Sequence, residues 1–233
     1  MTDRQKCVHG PTIPASYPNR KLMMPDLNTA LALTGSDATL ALYRDWAATY
    51  DGGFARDMQY NLPAHVAAAF MAAGGAGPVL DVGAGTGLLA GSLRDMGFAG
   101  QIDALDFSAE MLAVAAKKRL YTGLFRADVT QPLPLPRQYH GITSSGTFTA
   151  GHVGPAALPH MLAIAHPGAL FALSINQRVW TDAGFDRALT DLQASAQITD
   201  LQLIEVEIYG AAAHALDPDH ATDRAFVTLF RAA

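Results

Sequence analysis

Residues 79–90 read VLDVGAGTGLLA. An apolar run reaches one acid, Asp81, and glycine then takes every second position at Gly83, Gly85 and Gly87. A buried strand, a tight turn and a helix account for that order. Glycine lets the backbone turn sharply and come close to a ligand, and the amides that open the following helix face that ligand. An acid and three glycines at a buried strand end are costly if the turn holds nothing. The plainer alternative is a strand–helix turn with no ligand.

Outward from this stretch the chain alternates. Strands are expected at PVLDVG, QIDALDF, GLFRADV, YHGITSSG, ALFALSIN, LQLIEVEIYG and AFVTLFRA. Helices are expected at GLLAGSLRDMG, at SAEMLAVAAKKRL with Ser108 as N-cap, at PAALPHMLAIAHPG and at TDAGFDRALTDLQASA. Strand–helix alternation implies a Rossmann-like, mainly parallel sheet with helices on both faces, an α/β fold. Only the polar loop AAAHALDPDHATD separates the last two strands. It is too short in helix for a parallel crossover, so the last strand is expected to run antiparallel.

Before the first strand, LPAHVAAAFMAAGG reads as a helix with Pro63 near its start. Upstream, Ser36–Asp37 caps another expected helix, in which Leu40, Tyr43, Trp46, Ala47 and Tyr50 share one face. Residues 1 to about 35 hold Pro11, Pro14, Pro18 and Pro25 and show no steady period. They read as a draped arm. The expected organisation is an arm over 1–37, partly a lid, and one catalytic domain over 38–233.

The bulk properties narrow the function. Half of the 233 residues are apolar, enough for a sizeable core. The net charge is −5, and the longest basic run is KKR at 117–119, which reads as the solvated end of a helix. That argues against a nucleic-acid surface. The single cysteine, Cys7, forms no intrachain disulfide and suits a reducing compartment. With no apolar leader at the N-terminus and no membrane-length apolar run, the expected location is cytoplasmic, without a membrane partner.

Two cofactor classes compete for the glycine turn. A dinucleotide wants G-x-G-x-x-G, whereas this chain has G-x-G-x-G, and Asp81 is awkward beside a pyrophosphate. An acid there suits a ligand with an ammonium group. Asp106 ends the next strand, 19 residues after Gly87, where a carboxylate can accept both hydroxyls of a ribose. Its alternative is an acid at a helix N-terminus, and Asp103 is a nearby decoy inside the strand. Asp128 ends the third strand and suits a purine amine or, as plainly, a turn.

The stretches VLDVGAGTG, ALDFSAEML, RADV and YHGITSSGTFTAGHV together resemble the class I S-adenosylmethionine-dependent methyltransferases. Within them the chain is similar to the branch of Williams–Beuren region methyltransferase-like proteins. The resemblance covers roughly residues 38–233. It implies a seven-stranded sheet with the last strand inserted antiparallel, and S-adenosylmethionine as cofactor. It implies that Asp81 and the backbone at Gly83 and Gly85 serve the methionine end, with Gly87 also at the cofactor, Asp106 the ribose, and Phe107, Asp128 and Val129 the adenine. Tyr43, Trp46 and Tyr50 match the aromatic residues that cover the cofactor in small-molecule members, though core packing explains each of them as well. Two departures stand out. Tyr139–His140 replaces a common Tyr-Asp, and no Asn-Pro-Pro-aromatic tetrapeptide is present, which argues against base methylation.

His152, in the loop after the fourth strand, is the candidate general base toward the acceptor; bonding a backbone group is its alternative. No metal is expected, since the eight histidines contain no i, i+4 pair. TSSGT does not make the G-x-S-x-G of a serine hydrolase. The expected function is methyl transfer to a small-molecule acceptor. The alternatives are a non-catalytic cofactor-binding module and, behind it, a nicotinamide-dependent oxidoreductase.

Overall fold

The computed structural model describes residues 50–136 and 138–233. The arm over 1–37 and the stretch bearing Tyr43 and Trp46 lie outside the described residues. Seven strands form one sheet: β1 (Val79–Val82), β2 (Ile102–Asp106), β3 (Gly123–Arg126), β4 (Tyr139–Phe148), β5 (Ala165–Asn176), β6 (Ile198–Glu207) and β7 (Arg224–Ala232). Their order is β3-β2-β1-β4-β5-β7-β6. The first five pair in parallel, and β7 is inserted antiparallel between β5 and β6. This is the mainly parallel sheet expected from the alternation, with the last strand reversed. The chain runs from β1 outward to β2 and β3, then returns to β4 on the other side of β1. The carboxyl ends of β1 and β4 therefore form the switch point where open α/β sheets hold ligands.

The helices are α1 (Leu62–Ala72), α2 (Leu88–Asp95), α3 (Ala109–Lys118), α4 (Leu158–Ile164), α5 (Gln177–Trp180), α6 (Phe185–Ala194) and α7 (Ala213–Leu216). On one face, Val66 and Phe70 of α1 and Leu89 and Leu93 of α2 pack with Val79, Ile102 and Leu229. On the other, Met161 of α4 and Phe185 and Leu189 of α6 pack with Leu80, Ile142, Phe171 and Phe230. Val79 and Leu80 go to opposite cores because successive strand side chains point to opposite faces. A fully buried side chain of this size contributes about 1.5–3 kcal/mol, so the double covering holds β1 firmly under the cleft.

The structure departs from the sequence reading in two places. The helix expected through His166 ends at Ile164, and β5 starts at Ala165; Pro167 disfavours helical backbone at His166. KKR is more than a solvated helix end. Lys118 Nζ lies 2.5 Å from Asp51 Oδ2, and so ties α3 to the π-helical turn Asp51–Ala55. Among the described residues, no helix is long and apolar enough to cross a membrane.

Candidate active site

A cleft of about 370 Å³ opens at the carboxyl ends of β1, β2 and β4. Its floor is the turn after β1. Gly83, Gly85 and Gly87 have φ of +66°, +54° and +91°, a region that side-chain-bearing residues rarely adopt. Their amides are already used. Gly83 donates to Leu105 O at 2.8 Å, Gly85 to Asp106 Oδ2 at 2.8 Å and Gly87 to Ala84 O at 2.8 Å. The cleft therefore draws no free N–H donor from these glycines, and Gly85 is the one whose missing side chain leaves it open space. A Cβ on Gly83 would collide with Thr147 Oγ1, whereas one on Gly85 would meet only Gly83 O, at 4.0 Å. Gly87 stands apart from the cleft lining. A Cβ there would lie 3.1 Å from the Tyr121 ring, so this glycine makes room for Tyr121.

Asp81 is 1% exposed. Its Oδ2 accepts from the Tyr121 hydroxyl at 2.7 Å, and its Oδ1 has no partner among the described residues. Burial, and after it the nearby Asp106 carboxylate, push its pKa up to about 7 against the opposing Tyr121 bond. A buried carboxylate oxygen with no donor is costly. An ammonium group in the cleft relieves that cost, so the residues present fit the amino-acid end of S-adenosylmethionine.

Asp106 accepts from the Gly85 amide through Oδ2 and from the Ser108 amide through Oδ1, each at 2.8 Å. Burial raises its pKa, and the amides of Ser108, Gly85 and Phe107 oppose that. A carboxylate has about four acceptor positions, so Asp106 keeps capacity for a ligand hydroxyl. Asp103 is engaged elsewhere: Tyr139 donates to its Oδ2 at 2.9 Å, and it does not line the cleft. Phe107 lines the cleft at 37% exposure. Asp128 and the buried Val129 line it too. Asp128 Oδ1 accepts from the Thr130 amide at 2.9 Å and its hydroxyl at 2.7 Å, a turn built on the aspartate.

The opposite wall is aromatic. Tyr50 and Tyr60 line the cleft. Phe54 lies 5.4 Å from Tyr50 and 6.1 Å from Tyr209, and Tyr60 lies 5.9 Å from Tyr209, ring centre to ring centre. The segment is held there by the chain after β6: Asn61 N donates to Ile208 O at 2.9 Å and Gly210 N to Gln59 O at 3.0 Å. His152 also lines the cleft, with its amide donating to Thr149 O at 3.2 Å.

Sequence reasoning missed Tyr60, Tyr121 and the irregular end of β4. The β4–β5 register shifts between Ser144 and Phe148, where Gly146 has φ +79°. Ser144 Oγ and Thr147 Oγ1 donate to Val82 O at 2.7 and 3.1 Å, which clamps this bulge over β1. A Cβ on Gly146 would collide with the Tyr60 hydroxyl. Burial pushes the pKa of Tyr60 up to about 12, so it stays a neutral phenol. A glycine inside a strand pattern is a readable bulge signal. Tyr60 and Tyr121 had no local signal.

Residues 79–168 match a family described as methyltransferase domain. The human methyltransferase-like protein 27 is 34% identical over 142 residues, 58% of this chain and 56% of that protein. The chain therefore spans just over half the length of the curated relative it matches. Among solved structures, the DhpI–SAH complex superposes with a TM-score of 0.58 at 21% identity, covering 83% of this chain and 95% of its own. The [4+2]-cyclase SpnF superposes with a TM-score of 0.52 at 18% identity, over 73% of this chain and 80% of its own. At such identities the likeness is one of fold.

Proposed function

We propose that this chain is a class I S-adenosylmethionine-dependent methyltransferase that transfers a methyl group to a small-molecule acceptor, a reading supported by the methyltransferase-domain match over residues 79–168. The observation that carries this reading is the unpartnered Asp81 oxygen beside Asp106 at the glycine-rich turn. It supports an ammonium-bearing nucleoside better than a dinucleotide, whose pyrophosphate two buried carboxylates would repel.

The bound cofactor supplies an electrophilic methyl on a sulfonium. The chain's residues bind, orient and exclude water around it. Asp81 holds the ammonium and Asp106 the ribose hydroxyls. Phe107, Asp128 and Val129 form the adenine wall. Gly85 leaves the backbone bare so that the ligand lies close, and Gly83 makes room for Thr147 at the edge of the cleft. Tyr50 and Tyr60 close the mouth and present aromatic faces that attract a cation. His152, between the β4 bulge and α4, takes the acceptor's proton where the acceptor has one to lose. The −5 charge opposes a polyphosphate partner.

Two measurements test the reading. Calorimetry with S-adenosylhomocysteine should show saturable binding at one site. Incubation with isotopically labelled S-adenosylmethionine and a small-molecule extract should label a low-mass product. Binding without any labelled product, in extracts of varied source, would favour a cofactor-binding module that does no chemistry. Absence of binding would remove the proposal altogether.

A further inference from the structure

Tyr121 is set where the cofactor reading has no assigned use for it. It follows α3 and lies beneath the glycine turn, beyond the motifs that mark the cleft. Its hydroxyl lies 2.7 Å from Asp81 Oδ2. Burial, and then the Asp81 carboxylate, raise the pKa of this phenol, so it remains a donor. The space for its ring exists because residue 87 has no side chain: a Cβ there would stand 3.1 Å from one ring carbon and 3.2 Å from the hydroxyl. Gly87 is thereby linked to Asp81 through Tyr121, although it does not line the cleft. The ring also packs beside Ala84, Ala104 and Leu112, which limits its movement.

Resting on the S-adenosylmethionine reading, we propose that Tyr121 is a positioning residue for cofactor capture: through the slot left by Gly87 it pins one oxygen of Asp81, so that the other oxygen alone meets the ligand's ammonium. An unpinned carboxylate would rotate about its terminal torsion, which is broad and roughly two-fold. It would then present either oxygen, or a proton, to the ligand. The Tyr121 bond favours the ionised form of Asp81, the form that attracts a cation. The other ionisable groups around the cleft are Asp106 at the end of β2, Asp128 after β3, Tyr50 and Tyr60 across the mouth and His152 after β4. Of these, the neighbouring Asp106 carboxylate opposes ionisation of Asp81, as burial does more strongly. The phenol offsets part of both.

The test uses two probes that share adenine and ribose. S-adenosylhomocysteine carries the ammonium; 5′-methylthioadenosine lacks the amino-acid end. Tyr121→Phe removes one oxygen and leaves the ring in its slot. It should weaken S-adenosylhomocysteine by about tenfold or more, the scale of a hydrogen bond to a charged group, and leave 5′-methylthioadenosine within about twofold. The pH at which S-adenosylhomocysteine affinity fades should move upward in the variant. Equal weakening of both probes, or an unchanged pH dependence, would overturn the proposal. A double-mutant cycle in the Asp81→Asn background guards against a folding artefact. There, Tyr121→Phe should have no further effect on S-adenosylhomocysteine, and additive losses would count against Tyr121 acting through Asp81. If the wild type binds neither probe, the cofactor reading fails, and that outcome is separate from any of these.

Discussion

Replacing Asp81 by asparagine should make the ligand-free protein more stable while it weakens the ligand. The carboxyl titrates near 3.8 in an exposed chain and is pushed up to about 7 in the fold. The folded state therefore holds this proton more tightly than the unfolded chain. Between those two values stability falls as pH rises, and the loss is complete above pH 7. A difference of about three pH units corresponds to about 4 kcal/mol, at 1.36 kcal/mol per unit. Asparagine keeps an acceptor for the Tyr121 hydroxyl and removes the charge, but it buries a new N–H without an acceptor, which costs about 1–3 kcal/mol. The net gain at pH 8 is then about 1–3 kcal/mol. At about 2–4 °C per kcal/mol for a chain of this length, Tm should rise by roughly 2–12 °C. Saturating S-adenosylhomocysteine should reverse the order, because its ammonium finds no carboxylate and affinity falls about tenfold to a hundredfold. Differential scanning fluorimetry at pH 5.5 and pH 8, with and without ligand, measures all four states. The advantage of the variant should shrink at pH 5.5, where Asp81 in the wild-type fold is already protonated. A variant that melts below the wild type at pH 8 would show that the carboxylate is not strained by burial, and one that keeps the full ligand-induced shift would show that it is not used for the ammonium.

Asp106→Ala should weaken S-adenosylhomocysteine by about 1.5–3 kcal/mol in calorimetry, and it should also lower Tm because the Gly85 and Ser108 amides lose their acceptor. Asp103→Ala should lower stability by about 1 kcal/mol through its lost Tyr139 bond while leaving affinity almost unchanged; the reverse order would misplace the ribose site. Gly85→Val should abolish detectable binding, since its side chain would grow into the open space over the turn, and equilibrium dialysis of the folded variant checks it. His152→Ala should cut turnover on a proton-bearing acceptor by about a hundredfold while S-adenosylhomocysteine affinity stays within about twofold; a variant with full turnover leaves alignment as the source of rate.

The sheet and the cofactor end of the cleft were legible along the chain because their signals are local. A strand buried on both faces is a short, mostly apolar run wherever it lies, and VLDV, buried throughout, is such a run. Turns with positive φ select glycine residue by residue, which is why Gly83 and Gly85 announced the floor of the cleft. Asp106 was readable from its place at a strand end, just ahead of the Ser108 cap that holds the start of α3. The antiparallel last strand followed from the short, polar link before it.

What the local pattern could not carry was which groups meet across the fold. Tyr121 meets Asp81 across 40 positions and Tyr139 meets Asp103 across 36. Neither tyrosine has a spacing that marks its partner. The third glycine shows the difference most clearly. The motif assigns Gly87 to the ligand, yet packing gives its empty side to Tyr121. The amides of Gly83 and Gly85 likewise point to acceptors on β2, because β1 and β2 lie side by side in the sheet. Lys118 belonged by sequence to a solvated helix end and by structure to Asp51. A residue's conformational demand is set by its own backbone and is written in its type. Its partner is set by which elements the sheet order brings together, and only the closed fold decides that.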